Sequence, residues 1–272
     1  MIPVGMSTTC VYPRGTEQAF RLAALAGFDG VEIMVTGEGA TKSAAALRRL
    51  SARYELPILS VHAPVLLLSQ LVWGLDNRVK LARAAELARD VGASTVVAHP
   101  PFRWQPRHAA GFPDAVREIG RAAGVEIAVE NMFPVRLAGR ERDVFSPGWD
   151  PTGAGYDAMT LDFSHAALGD RDSLALATAM GSRLRHVHLC DGSAPAGNPA
   201  RADEHLLPGT GGQPVAEVLR RLAAGGFAGS VIAEITTRRS PDDDDRLARL
   251  RETVEFARAH LVAVPAPLHQ DL

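Results

Sequence analysis

The chain has only two cysteines, Cys10 and Cys190, among 272 residues. Two thiols on separate strand-like segments build no disulfide framework, so they read as buried apolar fillers in a protein suited to a reducing cytoplasm. A surplus of positive charge is also missing: 29 Lys and Arg stand against 31 Asp and Glu, a formal net charge of -2. With no global positive field to release counterions from a polyanion, nucleic acid is not an expected partner. No run of about 18 apolar residues occurs, which leaves no candidate membrane span. The opening MIPVGMSTTC lacks a basic region followed by an apolar stretch, so a secretory leader is not expected and the expected location is cytoplasmic.

The glycine-rich phosphate-binding fingerprint of open nucleotide-binding sheets is absent after the first strand-like run. What is present is a repeat. Short β-branched or apolar runs fall at 3–8, 29–34, 57–62, 94–99, 125–130, 158–162, 184–189 and 230–235. Amphipathic stretches rich in Ala, Leu and Arg, such as RVKLARAAELARDVG and DRLARLRETVEFARAHL, separate them at three-to-four spacing. Five of these stretches end near a glycine (Gly27, Gly92, Gly124, Gly181 and Gly226), as helices turning back into a sheet do. Eight such units predict an α/β protein of the (β/α)8 TIM-barrel class, one domain over 1–261 with a tail at 262–272. Two connections, 131–156 and 192–212, are long and rich in Gly, Pro and charge. Both follow strands and therefore belong to the rim where barrel chemistry is built.

Four of the strand-like runs end in an ionisable residue: Glu130 in IAVEN, Asp162 in TLDFSH, His188 in RHVHLCD and Glu234 in VIAEI. Carboxylates and an imidazole delivered to one rim predict a divalent-metal site. His62 and His99 close two further strands, His165 follows Asp162 by three, and Asp203 and His205 form a D-x-H pair in the second long loop. His186 precedes His188 by two and so faces the same way one layer deeper, in a position for a supporting hydrogen bond. Trp73, Trp104 and Trp149 follow strands and offer packing, or an apolar wall for a sugar ring or hydrophobic substrate. The same side carries Arg103, Arg107, Arg136, Arg140, Arg201 and Arg238, any of which suits a phosphate or carboxylate. Trp104 and Arg201 are taken as the substrate-binding pair.

With VEN at 129–131, LDFSH at 161–165, HVHLCDGS at 186–193, DEHLLPGTG at 203–211 and AEI at 233–235, the chain resembles the xylose isomerase-like TIM-barrel superfamily over essentially its whole length. That superfamily includes sugar-phosphate isomerases and epimerases, ketose 3-epimerases and endonuclease IV. The epimerase-like members imply one divalent ion, manganese, magnesium, cobalt or zinc, on Glu130, Asp162, His188 and Glu234, with Glu130 and Glu234 as the acid/base pair. The nuclease implies three zincs: one on His62, His99 and Glu130, one on the quartet, one on His165, Asp203 and His205. Departures from the nuclease pattern are the stretch MFPVRLAGRERDVF after the VEN glutamate and EIT in place of ETP. The expected function is a metal-dependent isomerase or epimerase of a small sugar, sugar phosphate or related polyol carbonyl compound, working through an enediolate. The alternatives are a three-zinc phosphodiesterase on abasic DNA and an inactive metabolite-binding barrel. A homo-oligomer is compatible with the sequence.

Overall fold

The computed structural model describes residues 1–64, 71–137, 140–193 and 202–262. Eight parallel strands close a barrel in which each pairs with its neighbours in the chain and the last pairs with the first. They are β1 (Val4–Ser7), β2 (Gly30–Met34), β3 (Ile58–His62), β4 (Thr95–Ala98), β5 (Glu126–Glu130), β6 (Met159–Asp162), β7 (Leu184–Leu189) and β8 (Ser230–Ala233). The expected strands are all present, most of them trimmed by one or two residues at an end. Trimming moves His99 and Glu234 one place past their strands, yet the Glu234 backbone N–H still donates to Leu189 O at 3.0 Å.

Helices cover the barrel: α1 (Thr16–Ala26), α2 (Ala44–Tyr54), α3 (Asn77–Val91), α4 (Pro106–Ala110), α5 (Phe112–Ala123), α6 (Phe163–Leu168), α7 (Ser173–Met180), α8 (Val215–Ala224) and α9 (Asp243–His260). Asp76, Asp172 and Asp242 start α3, α7 and α9, each accepting from backbone N–H groups of the first turn, a contribution of about 1 kcal/mol apiece. Asp243–Asp245 in the first turn of α9 complement its dipole, as the DDDD run suggests. The glycines expected at helix ends cap α1, α3, α5 and α7, whereas α8 stops on Gly225, one residue before Gly226.

Valines, isoleucines and leucines on the outward faces of the strands, among them Val31, Ile33, Val61, Leu161, Val187 and Val231, are buried in the layer between sheet and helices. Much of the inward alternation is polar: register sets Glu32 opposite Ser60, Thr160 opposite His186 and Asp162 opposite His188, all fully buried, with Val97 and Ile232 as apolar neighbours of His62 and His188. A barrel interior is ordinarily filled with branched apolar side chains, so hydrogen bonds and charge contribute more here than in most barrels.

Three readings need correction or completion. Cys10 and Cys190 are free and buried, but neither lies on a strand: Cys10 is in a 3-10 turn after β1 and Cys190 follows β7. The 131–156 connection contains a short antiparallel hairpin (Val135–Leu137 with Arg140–Arg142) and a small apolar cluster of Met132, Val144 and Phe145, separate from the main core. The tail lies outside the described residues beyond position 262.

Candidate metal centre

At the C-terminal rim of the barrel, Glu130, Asp162, His188 and Glu234 bring one ligand atom each to within 4.8 Å of one another. The focal atom is His188 Nδ1. It lies 2.9 Å from Glu234 Oε2, 3.1 Å from Glu130 Oε1 and 3.6 Å from Asp162 Oδ2. One ring nitrogen carries at most one proton, so three carboxylate oxygens from the C-terminal ends of three strands are gathered around a centre that one N–H cannot satisfy. Asp162 is held in place from both sides. Its Oδ1 accepts the His165 backbone N–H at 2.7 Å as the cap of α6, and its own backbone N–H donates to Asn131 Oδ1 at 2.8 Å. Asn131, the last residue of the VEN motif, donates in turn to Asp162 O. Thr9 donates to Glu234 Oε1 at 3.3 Å.

A second group adjoins the first. His62, His99 and Glu130 also bring ligand atoms to within 4.8 Å. Glu130 Oε2 is 3.0 Å from His99 Nε2 and 3.4 Å from His62 Nε2, off the line of a hydrogen bond in both cases, so this buried oxygen has no donor among the described residues. A third group comprises Asp162, His165 and His205. Asp203 stands beside it, with Oδ2 2.9 Å from His205 Nε2 and 3.3 Å from His165 Nε2, and Oδ1 accepting from Ser164 Oγ at 2.6 Å. All nine ionisable residues named from the sequence are thus brought together, and Asp162 additionally joins His165 and His205.

The imidazoles are oriented by the backbone. His62 Nδ1 is 3.1 Å from Ala63 O, His165 Nδ1 is 3.0 Å from Asn131 O and His205 Nδ1 is 2.8 Å from Glu234 O. A carbonyl oxygen only accepts, so the proton of each neutral ring belongs on Nδ1, and the Nε2 lone pair faces the carboxylates. Histidines that hold metals are positioned in this way. The donor set, the carbonyl-anchored rings and the undonated Glu130 oxygen all fit divalent cations at this rim.

Beneath the quartet lies a residue that pattern reading missed. Glu32, fully buried on β2, accepts from Ser60 Oγ at 2.8 Å and pairs with His186 Nε2 at 2.8 Å, and its Oε1 is 3.2 Å from His188 Nε2. His186 is therefore one layer down, as its spacing predicts, supporting Glu32 rather than a rim ligand. Asp191 was missed as well. Buried after β7, it accepts from the backbone N–H groups of Gly192, Gly209, Gly211 and Gln213, and so closes the loop that carries Asp203 and His205 onto the barrel. The signals were present: a glutamate inside GVEIM and an aspartate followed by glycine in LCDGS.

Of the remaining candidates, Trp104 is largely exposed and stacks on Phe102, while Trp149 packs in the small apolar cluster with Arg171 over its ring. Arg103 is engaged by Asp143 Oδ2 and by the backbone oxygens of Asp143 and Pro147, a structural task. Arg238 lies over the Tyr12 ring. Arg201 lies outside the described residues. His108 is partly buried and lines a cavity.

Electrostatics follow from burial opposed by neighbours. Burial alone lowers a histidine pKa, but Glu234, Glu130 and Glu32 outweigh it at His188 and hold it well above the ordinary value. Asp162 and Asp203 do the same for His165, and Asp203 for His205. At His99 burial prevails over Glu130 and the pKa falls. Burial raises carboxyl pKa values, yet His188 and His99 hold Glu130 well below the ordinary range, His165 lowers Asp162, and His205 and His165 lower Asp203. The raised histidines contribute stability that is complete below about pH 6.5 and is lost as pH rises through their folded values; the lowered acids contribute above about pH 4 and lose it as pH falls. The metal-free protein is therefore expected to melt at its highest temperature between about pH 4.5 and 6.5 and to lose stability toward alkaline pH. Because metal ligands must be deprotonated, added Mn²⁺ should flatten the alkaline fall. Calorimetry from pH 5 to 9 with EDTA or Mn²⁺ checks this, and a metal-free melting temperature that climbs from pH 6 to 9 contradicts it.

Residues 20–260 match a family model described as xylose isomerase-like TIM barrel. An uncharacterized protein of Mycobacterium tuberculosis is 47% identical over 280 residues, spanning 96% of this chain and 98% of the relative. One from Mycobacterium leprae is 47% identical over 281 residues, spanning 96% and 99%. Among solved structures, a D-tagatose 3-epimerase-like protein superposes with a TM-score of 0.67 at 22% identity over 96% of this chain and 100% of its own. An L-ribulose 3-epimerase gives 0.65 at 19% identity over 96% and 95%. At these identities the structural likeness is one of fold.

Proposed function

We propose, from the premise that the chain belongs to the xylose isomerase-like TIM barrel family, that it is a metal-dependent isomerase or epimerase of a small polyol carbonyl compound. The observation that carries this reading is the gathering of Glu130, Asp162 and Glu234 oxygens around His188 Nδ1. Those four residues would hold the ion. When bound, a divalent cation polarises a carbonyl and makes the neighbouring C–H more acidic.

The protein's own groups do the rest. Glu130 and Glu234 enter the site from β5 and from just past β8, so a substrate carbon between them meets one carboxylate from each direction. Glu130 is kept ionised at neutral pH by its histidine neighbours and is thus ready to take a proton at a carboxylate oxygen. Glu234 is steadied by Thr9 and serves as the partner that returns it. The structural neighbours include an L-ribulose 3-epimerase, whose name gives a ketose as its substrate, and this supports a carbohydrate substrate here. The test is solvent exchange: ketoses incubated in D₂O with Mn²⁺-loaded protein should gain deuterium at the carbon next to the carbonyl, and a broad ketose and ketose-phosphate panel without exchange counts against the proposal.

A second reading has its own observation, the adjoining His62, His99, Glu130 and Asp162, His165, His205 groups. Three such sites suit a three-zinc phosphodiesterase. The net charge of -2 offers no strong grip on DNA. Elemental analysis of purified protein is expected to give one ion per chain and an abasic duplex is expected to survive intact; three zincs with nicking lost in His188→Ala would favour the nuclease.

A further inference from the structure

His99, whose Nε2 is 3.0 Å from Glu130 Oε2, also lines a cavity of about 230 Å³. The walls come from residues 75–81, around the start of α3, and from 98–112, between the end of β4 and the start of α5. One wall is a flat aromatic face. Phe102 and Trp104 stack with ring centroids 4.3 Å apart and planes 8° from parallel, and Phe102 stacks in turn on Phe145, which anchors the pair to the small apolar cluster. Trp104 is 60% exposed, so much of its ring is uncovered. The rest of the lining holds unspent hydrogen-bonding capacity. Asn77 makes no side-chain hydrogen bond among the described residues, and neither ring nitrogen of His108 has a hydrogen-bond partner among them. Gln105 uses Oε1 to accept from the Phe102 backbone N–H at 3.2 Å and has its amide N–H groups to spare. The His99 ring, unlike those of His62, His165 and His205, has no carbonyl oxygen on Nδ1. Lys80, also in the wall, is already engaged by another group.

That lining selects its occupant by elimination. An anion finds no unengaged cation here. A wholly apolar ring would strip water from Asn77, His99, Gln105 and His108 and return no hydrogen bond, which is costly for each group so stranded. A hydroxylated ring meets both demands: its C–H face lies on Trp104, and its hydroxyls exchange donors and acceptors with the amides and imidazoles. A six-carbon ring fits an apolar cavity of about 150 Å³, so about 230 Å³ has room for one hexose ring with its hydroxyls. The cavity shares His99 with the candidate metal centre, so a ring held there can be joined to a carbonyl compound bound at the quartet.

We propose that the cavity is a subsite for a second, uncharged sugar ring linked to the polyol carbonyl compound on which the metal centre acts. The substrate class is then a glycoside, such as a ketodisaccharide, rather than a free or phosphorylated ketose. This rests on the proposed role of the metal centre, and one arm of its test is independent of that role.

Methyl α-D-glucopyranoside and methyl β-D-galactopyranoside serve as the detached ring, added at millimolar concentrations to EDTA-treated protein and followed by saturation transfer from the protein's aromatic protons. Transfer to the ring C–H protons of at least one glycoside is expected, and Trp104→Ala, at an exposed position, should remove most of it. Cyclohexanol, a ring without the hydroxyl pattern, should bind more weakly. In the Mn²⁺-loaded protein, calorimetry should show lactulose or isomaltulose binding about tenfold more tightly than fructose. Asn77→Ala should cut that advantage about threefold, the effect of one hydrogen bond, and Trp104→Ala about fivefold. The proposal is overturned by an absence of transfer to both glycosides, by transfer indifferent to Trp104→Ala, by cyclohexanol binding more tightly than either glycoside, or by disaccharides bound no better than fructose. Failure of the glycoside arm leaves ketose exchange measurable, and absence of ketose exchange leaves glycoside binding measurable, so the two readings fall separately.

Discussion

Glu130→Gln and Glu234→Gln should each lower turnover by about 10²- to 10⁴-fold, the usual cost of removing a general acid or base, with the far-ultraviolet circular dichroism unchanged. Gln matches Glu in volume but cannot accept and return a proton at the substituted atom. The two variants are not equivalent. Glu130 is fully buried among His62, His99, His165 and His188, so an amide there sets an N–H against ring nitrogens that now face a carboxylate, and metal content should fall together with turnover. Glu234 is less enclosed, its side chain 12% exposed and held by Thr9 and His188. Glu234→Gln is therefore the cleaner probe: turnover should collapse while most of the metal, measured on the same sample, remains. Full activity in either variant removes that residue from the chemistry. Loss of activity in exact proportion to metal would reduce Glu234 to a ligand only.

The barrel was legible because its repeat is long and regular, and because each helix has a start or stop signal that local chemistry enforces. The rim was legible for a related reason: a strand end is a defined place, so Glu130, Asp162 and His188 in successive β-runs point to one surface. Glu32 escaped because it sits in the middle of GVEIM, where a strand-end search does not look; its importance comes from register, which sets β2 against Ser60 on β3. Asp191 escaped because its partners Gly209, Gly211 and Gln213 lie 18 to 22 residues away on a loop whose path no periodicity encodes. Arginines were the least readable. Arg103 spends its guanidinium on Asp143 and neighbouring backbone, 40 residues distant, which no spacing announces. The cavity beside His99 is lined from two stretches of chain, 75–81 and 98–112, and has no linear signature.

Glu32→Gln is expected to weaken Mn²⁺ binding by about 10- to 100-fold, the range found when a partner behind a metal ligand is removed. Glu32 touches no substrate-facing atom. It stands behind His188, with Oε1 3.2 Å from Nε2, and neither atom has a hydrogen-bond partner among the described residues. Burial would raise the Glu32 pKa, but His188 and His186 outweigh it and hold the carboxyl at about 2, so it is an anion at every working pH. That charge keeps the proton on Nε2 of His188, so that the proton given up when a cation binds is the one on Nδ1, whose lone pair then serves the ion. His186, by contrast, is pushed down to about 3 chiefly by burial and stays neutral, so its ring adds a hydrogen bond to Glu32 without adding charge. Gln keeps the shape and the contact with Ser60 but removes the charge. Mn²⁺ affinity measured by calorimetry separates this positioning role from a merely structural one: affinity should fall while the metal-free melting temperature at pH 6 falls much less than it would for a lost core side chain. Glu32→Asp, which restores the charge one methylene short, should recover part of the affinity. Wild-type affinity in Glu32→Gln, or a Glu32→Asp variant no better than Gln, would show that His188 is oriented by something else.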